Sequence, residues 1–210
     1  SYSPSRLALK LGTVDKTDFE DISYEKYTGK KSKILVLFTE HKNMEMTNGK
    51  LFSTGNHPVE ALLPMLHLKN AGFEFVIATP TGKPVVFEMW AFPEKDEQVL
   101  EIYNELLEEF KSPVDLRHFI KNSFNEVDSY SAVFVPGGHG SMIGIPHDKN
   151  VGTVLRWAHS NDLYTISLCH GPGSFLTTMI DEKLFIYEGY KMCVFPVKGN
   201  WCDQCAAECC

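Results

Sequence analysis

A cysteine placed where an apolar run gives way to turn-forming residues is a candidate nucleophile. Ser167-Leu168-Cys169-His170-Gly171-Pro172 has that form. Residues 164–168 (YTISL) read as a strand, and the small residues after His170 open a predicted helix through Met179. The thiol then falls on a sharp strand-to-helix turn, the counterpart of a hydrolase nucleophile elbow. A helix N-terminus favours thiolate over thiol, and the adjacent His170 can relay a proton. The same six residues also read as a buried cysteine ending a core strand beside a surface histidine.

Two further segments could complete such a site. Val135-Pro136-Gly137-Gly138-His139-Gly140 follows an apolar run, and glycine-rich backbone there can aim N–H groups at a developing negative charge. A plain strand-exit turn explains it equally well. It is not a dinucleotide fingerprint, because glycines at 138, 140 and 144 are spaced one residue too far. Nor does a Gly-Lys-Ser/Thr follow, as a phosphate loop requires. Gly55-Asn56-His57-Pro58-Val59-Glu60 opens a helix with Pro58 at its first position. Glu60, the third helical residue, either closes a capping box or is delivered by the helix start to an active cleft. Beside Cys169 it would form an acidic pair in which one member's pKa rises and the other carries the charge.

Such groups need a fold that gathers strand ends. Residues 33–39 (KILVLFT), 73–79 (FEFVIAT), 131–136 (SAVFVP) and 164–168 are β-rich runs of the kind buried on both faces of a parallel sheet. Residues 190–195 (YKMCVF) read as a fifth strand. Helices are predicted from Pro58 to a C-cap at Gly72, and over 94–111, 113–122 and 150–160, with 40–56 as a long loop. The alternation predicts an α/β fold, a doubly wound, mostly parallel sheet with helices on both faces, as in a flavodoxin-like sandwich. Its ligand site lies beyond the carboxyl ends of the strands. Residues 1–30 read as an extended arm, 31–200 as the α/β domain and 201–210 as a Cys-rich tail.

The 210 residues carry a net charge of −7, which argues against nucleic acid as a partner. No apolar run approaches the ~20 residues of a membrane span. No basic segment followed by an apolar one opens the chain, so no secretory signal is expected. Cys169 and Cys193 stand in the body, whereas Cys202, Cys205, Cys209 and Cys210 crowd the end. A disulfide framework would spread its cysteines, so a reducing, cytoplasmic setting is expected. The terminal cluster has zinc-like spacing but no segment to build a knuckle around it.

Lys50-Leu51-Phe52-Ser53-Thr54-Gly55-Asn56-His57-Pro58-Val59-Glu60, with 135–140 and 167–172, together resemble one family. It is the heat-shock protein thirty-one branch of the PfpI-like, class I glutamine-amidotransferase-like superfamily. The resemblance runs from about residue 33 to residue 196. Members are described as glutathione-independent glyoxalases (glyoxalase III), protein deglycases and holding chaperones. The resemblance implies Cys169 as nucleophile, His170 as its neighbouring base and Glu60 as proton shuttle. The backbone at Gly138 and His170 matches an oxyanion hole, with His139 and His57 in the substrate pocket. A homodimer without cofactors is implied, acting on a small 2-oxoaldehyde such as methylglyoxal, with unfolded or glycated proteins as further partners. Of the family's His, Glu, His metal set only Glu74 is matched; Lys69 and Leu106 replace the histidines, so no metal is expected. Asn200 stands where the family has an acidic residue orienting the catalytic histidine. A chaperone without catalysis and a cysteine-dependent peptidase or amidase are the alternatives left open.

Overall fold

Apolar runs without alternation need cover on both faces, and the fold supplies it. The computed structural model describes residues 1–20, 22–181 and 184–195. In chain order the elements are α1 (Arg6–Gly12), β1 (Lys33–Leu37), β2 (Asn43–Glu45), β3 (Leu51–Ser53), α2 (Pro58–Asn70), β4 (Glu74–Thr79), α3 (Glu97–Glu105) and α4 (Leu107–Lys111). Then follow β5 (Val114–Asp115), α5 (Leu116–Ser123), β6 (Tyr130–Val135), α6 (Lys149–Ser160) and β7 (Tyr164–Ser167). Five strands form one parallel sheet in the order β5-β4-β1-β6-β7. This is the expected doubly wound α/β architecture.

Successive side chains of a strand point to opposite faces, and the core divides accordingly. Leu35, Leu37, Val133 and Val135 pack with Phe119 of α5 and Val154, Leu155 and Trp157 of α6. Ile34, Val36, Ala132 and Phe134 pack with Leu62 and Met65 of α2 and Val99 and Ile102 of α3. Both faces of β1 and β6 are therefore dry, and their carboxyl ends are fixed relative to each other.

Several local expectations are corrected. The predicted loop 40–56 contains the antiparallel hairpin β2–β3, turned at Asn48-Gly49 with Gly49 at φ +74. The predicted helix 94–111 begins at Glu97, capped by Asp96, whose carboxylate accepts from the Val99 N–H, and breaks at Leu106. Residues 114–115 pair with Ala78 and Thr79 as the short edge strand β5 before α5 begins. The segment Gly171–Met179 is a 3-10 helix rather than an α-helix. Residues 190–195 are not a strand: Tyr190, Met192, Val194 and Phe195 are exposed, and the Phe195 N–H bonds to the Cys169 carbonyl. Strand propensity without a ladder partner does not make a strand.

The N-terminal arm also contains a helix. Ser5 caps α1 by accepting from the Ala8 N–H, yet no residue of α1 is buried. The arm is tied to the body along its length: Tyr2 exchanges backbone bonds with Leu51 and Ser53 of β3, the Thr17 N–H donates to Asp96 Oδ2 at 2.9 Å, and the Tyr27 N–H donates to the Ala71 carbonyl at 2.8 Å. Among the described residues, no helix is long and apolar enough to cross a membrane. Asn200 and the Cys-rich tail lie outside the described residues.

Candidate active site

Cys169 sits just past the carboxyl end of β7, at φ +54, a left-handed conformation that non-glycine residues seldom adopt. Strain of this kind persists only where the surroundings impose it. Here it turns the chain sharply from strand into the 3-10 helix and leaves the thiol half-buried in a cleft. The adjacent strand β6 ends two residues before Gly137. A Cβ at Gly137 would overlap Glu60 Oε2 and stand 2.6 Å from the Cys169 Cβ. Gly138 lies at φ +106, and a Cβ there would stand 2.6 Å from the Gly55 carbonyl oxygen. The loop therefore closes directly onto the start of α2, and the His57 N–H donates to the Gly137 carbonyl at 3.1 Å. The backbone N–H groups of Gly138 and His170 favour the charged form of the Cys169 thiol.

The capping box expected as one reading of Glu60 is not formed. The His57 N–H that such a box would use is taken by Gly137, and His57 Nδ1 itself caps α2 by accepting from the Glu60 N–H at 3.4 Å. The Glu60 carboxyl turns instead toward Cys169. Its Oε2 is buried without a conventional hydrogen-bond partner, so the thiol proton is the group placed to satisfy it.

Electrostatics works against the thiolate that a helix N-terminus favours, and Cys169 is a raised member of the acidic pair. Burial, then the charge and contact of Glu60, push the Cys169 thiol up to about 12, against the opposing pull of the Gly138 and His170 N–H groups. Burial also raises the Glu60 carboxyl, with His57 and the thiol pulling it down. The two groups are coupled, so a proton gained or lost by one changes the affinity of the other. His170 is buried, and its imidazole is pushed down to about 4 by that burial and by His139, with Glu88 opposing. It is a neutral base under ordinary conditions.

Sequence reasoning missed Glu88. This residue is 1% exposed, and its Oε1 accepts from His139 Nδ1 at 2.9 Å, from the His139 backbone N–H at 3.0 Å and from the Thr54 hydroxyl at 3.3 Å. An acidic residue set between Phe87 and Met89 was the available signal. The cleft has a volume of about 330 Å³; Phe52, Trp90 and Phe195 form aromatic walls, and Ala8 and Thr13 of the N-terminal arm stand at its edge. Glu60, His57, Gly138, His139, Cys169 and His170 all line it. Away from the cleft, Glu74 is exposed at the start of β4, Lys69 is ion-paired with Glu105, and Leu106 ends α3. Among the described residues no three His, Cys, Asp or Glu side chains are grouped to hold a metal.

No protein-family model matches the chain. The protein/nucleic acid deglycase HchA of Staphylococcus aureus (strain Newman) is 43% identical over 197 residues, covering 93% of this chain and 68% of that protein. Glyoxalase III from Candida albicans is 26% identical with a TM-score of 0.51, covering 68% of this chain and 59% of that one. The 24 kDa rapid encystment protein of Francisella tularensis shares the fold at 18% identity, with a TM-score of 0.57, covering 69% of this chain and 61% of that one. The chain thus spans about three fifths of the solved structures it resembles.

Proposed function

Since the chain belongs to the heat-shock protein thirty-one branch of the PfpI-like, class I glutamine-amidotransferase-like superfamily, we propose that it is a glutathione-independent glyoxalase and deglycase with Cys169 as nucleophile. The observation that carries this reading is the meeting of Cys169 and Glu60 across Gly137, where the N–H groups of Gly138 and His170 favour the thiolate.

In the first step the Cys169 sulfur bonds to the aldehyde carbon of a 2-oxoaldehyde while the thiol proton passes to Glu60. The aldehyde oxygen becomes an oxyanion held by the two backbone N–H groups and then takes up a proton, giving a hemithioacetal. Removal of the proton on that carbon gives an enediol, and its return to the neighbouring carbon gives a 2-hydroxy thioester. Glu60 moves this proton, with neutral His170 as the second base. Water cleaves the thioester, releasing D-lactate from methylglyoxal and restoring the thiol. One carbon is oxidised as its neighbour is reduced, so the balance closes without a redox cofactor.

Deglycation uses the same entrance. On an aldehyde–amine adduct, sulfur displaces the amine, which leaves with the thiol proton, and the same hemithioacetal results. Small aldehydes and glycated protein side chains suit this acidic chain better than a nucleic acid does, given its net charge of −7.

A second reading, holding of unfolded chains, is supported by the exposed apolar side chains Leu176, Met179, Leu184, Met192 and Val194. Incubation of the purified protein with methylglyoxal, without glutathione, followed by a chiral lactate assay tests the enzymatic reading. D-lactate formed in proportion to protein supports it; absence of lactate from folded protein overturns it.

A further inference from the structure

Glu88 raises a question that the thiol chemistry leaves unanswered. Its side chain has no exposed surface, and Oε2 is buried without a partner. An unpaired carboxylate in that setting is strongly unfavourable, so its charge needs an opposite one nearby. Among the described residues the one cationic partner within ion-pair distance is the His139 imidazole, bound through Nδ1 at 2.9 Å. The same carboxylate oxygen also holds the His139 backbone N–H, which locks ring and main chain together. His139 immediately follows Gly138, whose N–H favours the Cys169 thiolate, and its ring centroid lies 5.7 Å from that of His170.

We propose that Glu88 is a positioning residue that fixes His139 as an imidazolium on the cleft wall, a built-in cation for the negatively charged oxygen formed during turnover. This inference rests on the glyoxalase reading for the identity of that oxygen, an enediolate or the product carboxylate, but not for the existence of the cation. The groups facing His139 are Glu88, Glu60 and His57 at the start of α2, and His170 after β7, with the rings of Phe52 and Trp90 packed beside it. Burial pulls the His139 pKa down, but the bond and charge of Glu88, joined by Glu60, outweigh it and leave the group above its ordinary value. The cation in turn helps keep His170 neutral, because adjacent like charges are disfavoured. Burial is the larger cause of the neutral His170, and the cation at His139 adds to it against the direct pull of Glu88.

The test compares alkylation of Cys169 by anionic iodoacetate and neutral iodoacetamide in the full chain, with peptide mass spectrometry to separate Cys169 from exposed Cys193. At pH 6 the iodoacetate-to-iodoacetamide rate ratio at Cys169 should exceed that at Cys193 by roughly tenfold. It should fall as the pH rises past the titration of His139. Glu88→Gln, which keeps an oxygen acceptor and removes the charge, should bring the Cys169 ratio down to that of Cys193. His139→Gln alters a side chain that is partly exposed, so it decides the matter should Glu88→Gln fail to fold, and should lower the ratio equally. An unchanged ratio in folded variants, or a wild-type ratio independent of pH, overturns the proposal. The readout requires no turnover, so a failed lactate assay leaves it standing or falling separately.

Discussion

The Glu60 carboxyl and the Cys169 side chain meet over Gly137, at a point where one added methyl group would collide with both. Gly137→Ala should therefore separate the two groups and lower lactate formation by at least about a hundredfold, the scale of general acid–base catalysis. Overpacking should cost about 1–3 kcal/mol of stability. Turnover and melting temperature measured together check this; a near-normal rate in the variant would show that the close approach is unnecessary.

Glu60→Gln should leave α2 intact, because the helix is capped by His57 through the Glu60 backbone N–H. Turnover should fall roughly a hundredfold while the melting temperature changes little. Removing the carboxylate also removes a force that raises the Cys169 pKa. Alkylation of Cys169 at neutral pH should thus become faster in a variant that no longer turns over. Slower alkylation would contradict the coupled pair.

Cys169→Ser should abolish aldehyde conversion, since a hydroxyl is far harder to ionise than a thiol. Cys193→Ser should leave conversion nearly intact, because Cys193 is exposed and does not line the cleft. Suppression of client aggregation, carried by exposed apolar side chains, should survive both changes. Loss of both activities together in Cys169→Ser would undo the separation of chemistry from holding.

The two cleft histidines should oppose each other in the pH dependence of stability. His170, depressed to about 4, contributes stability that is complete above its unfolded pKa of about 6.5 and is lost as pH falls toward 4. His139, raised, contributes stability that is complete below about pH 6.5 and fades as pH rises through its folded value. Melting temperatures of His170→Gln should accordingly fall less between pH 6.5 and 4 than those of the wild type. An identical acid-side slope in both proteins would remove His170 from the titration.

The sheet was legible in the sequence because β1 and β6 are apolar without alternation, a pattern that demands two covered faces. The hairpin β2–β3 was also within reach, since Asn48-Gly49 is a turn signal set between short runs. Strand β5 was not: its two residues gain their ladder only from the position of β4. Residues 190–195 show the converse, β-rich side chains that find no ladder partner among the described residues. In the site, the turn at Cys169 and the glycines at 137 and 138 could be read from their order along the chain. The resting charge of the thiol could not, because it depends on how closely Glu60 approaches and how little water remains.

The thiol's suppressed ionisation belongs to the assembled architecture, since Cys169, Gly137 and Glu60 come from three distant stretches of chain. Unfolding would return Cys169 to an ordinary pKa of about 8.5 and make it more reactive at neutral pH. The nucleophile is thus safest from stray electrophiles while the protein is intact. Aldehyde stress that partly unfolds the chain would mark its own casualties at this residue. A brief pulse of alkylating reagent at neutral pH should therefore modify Cys169 faster in molecules that have lost their tertiary structure than in intact ones.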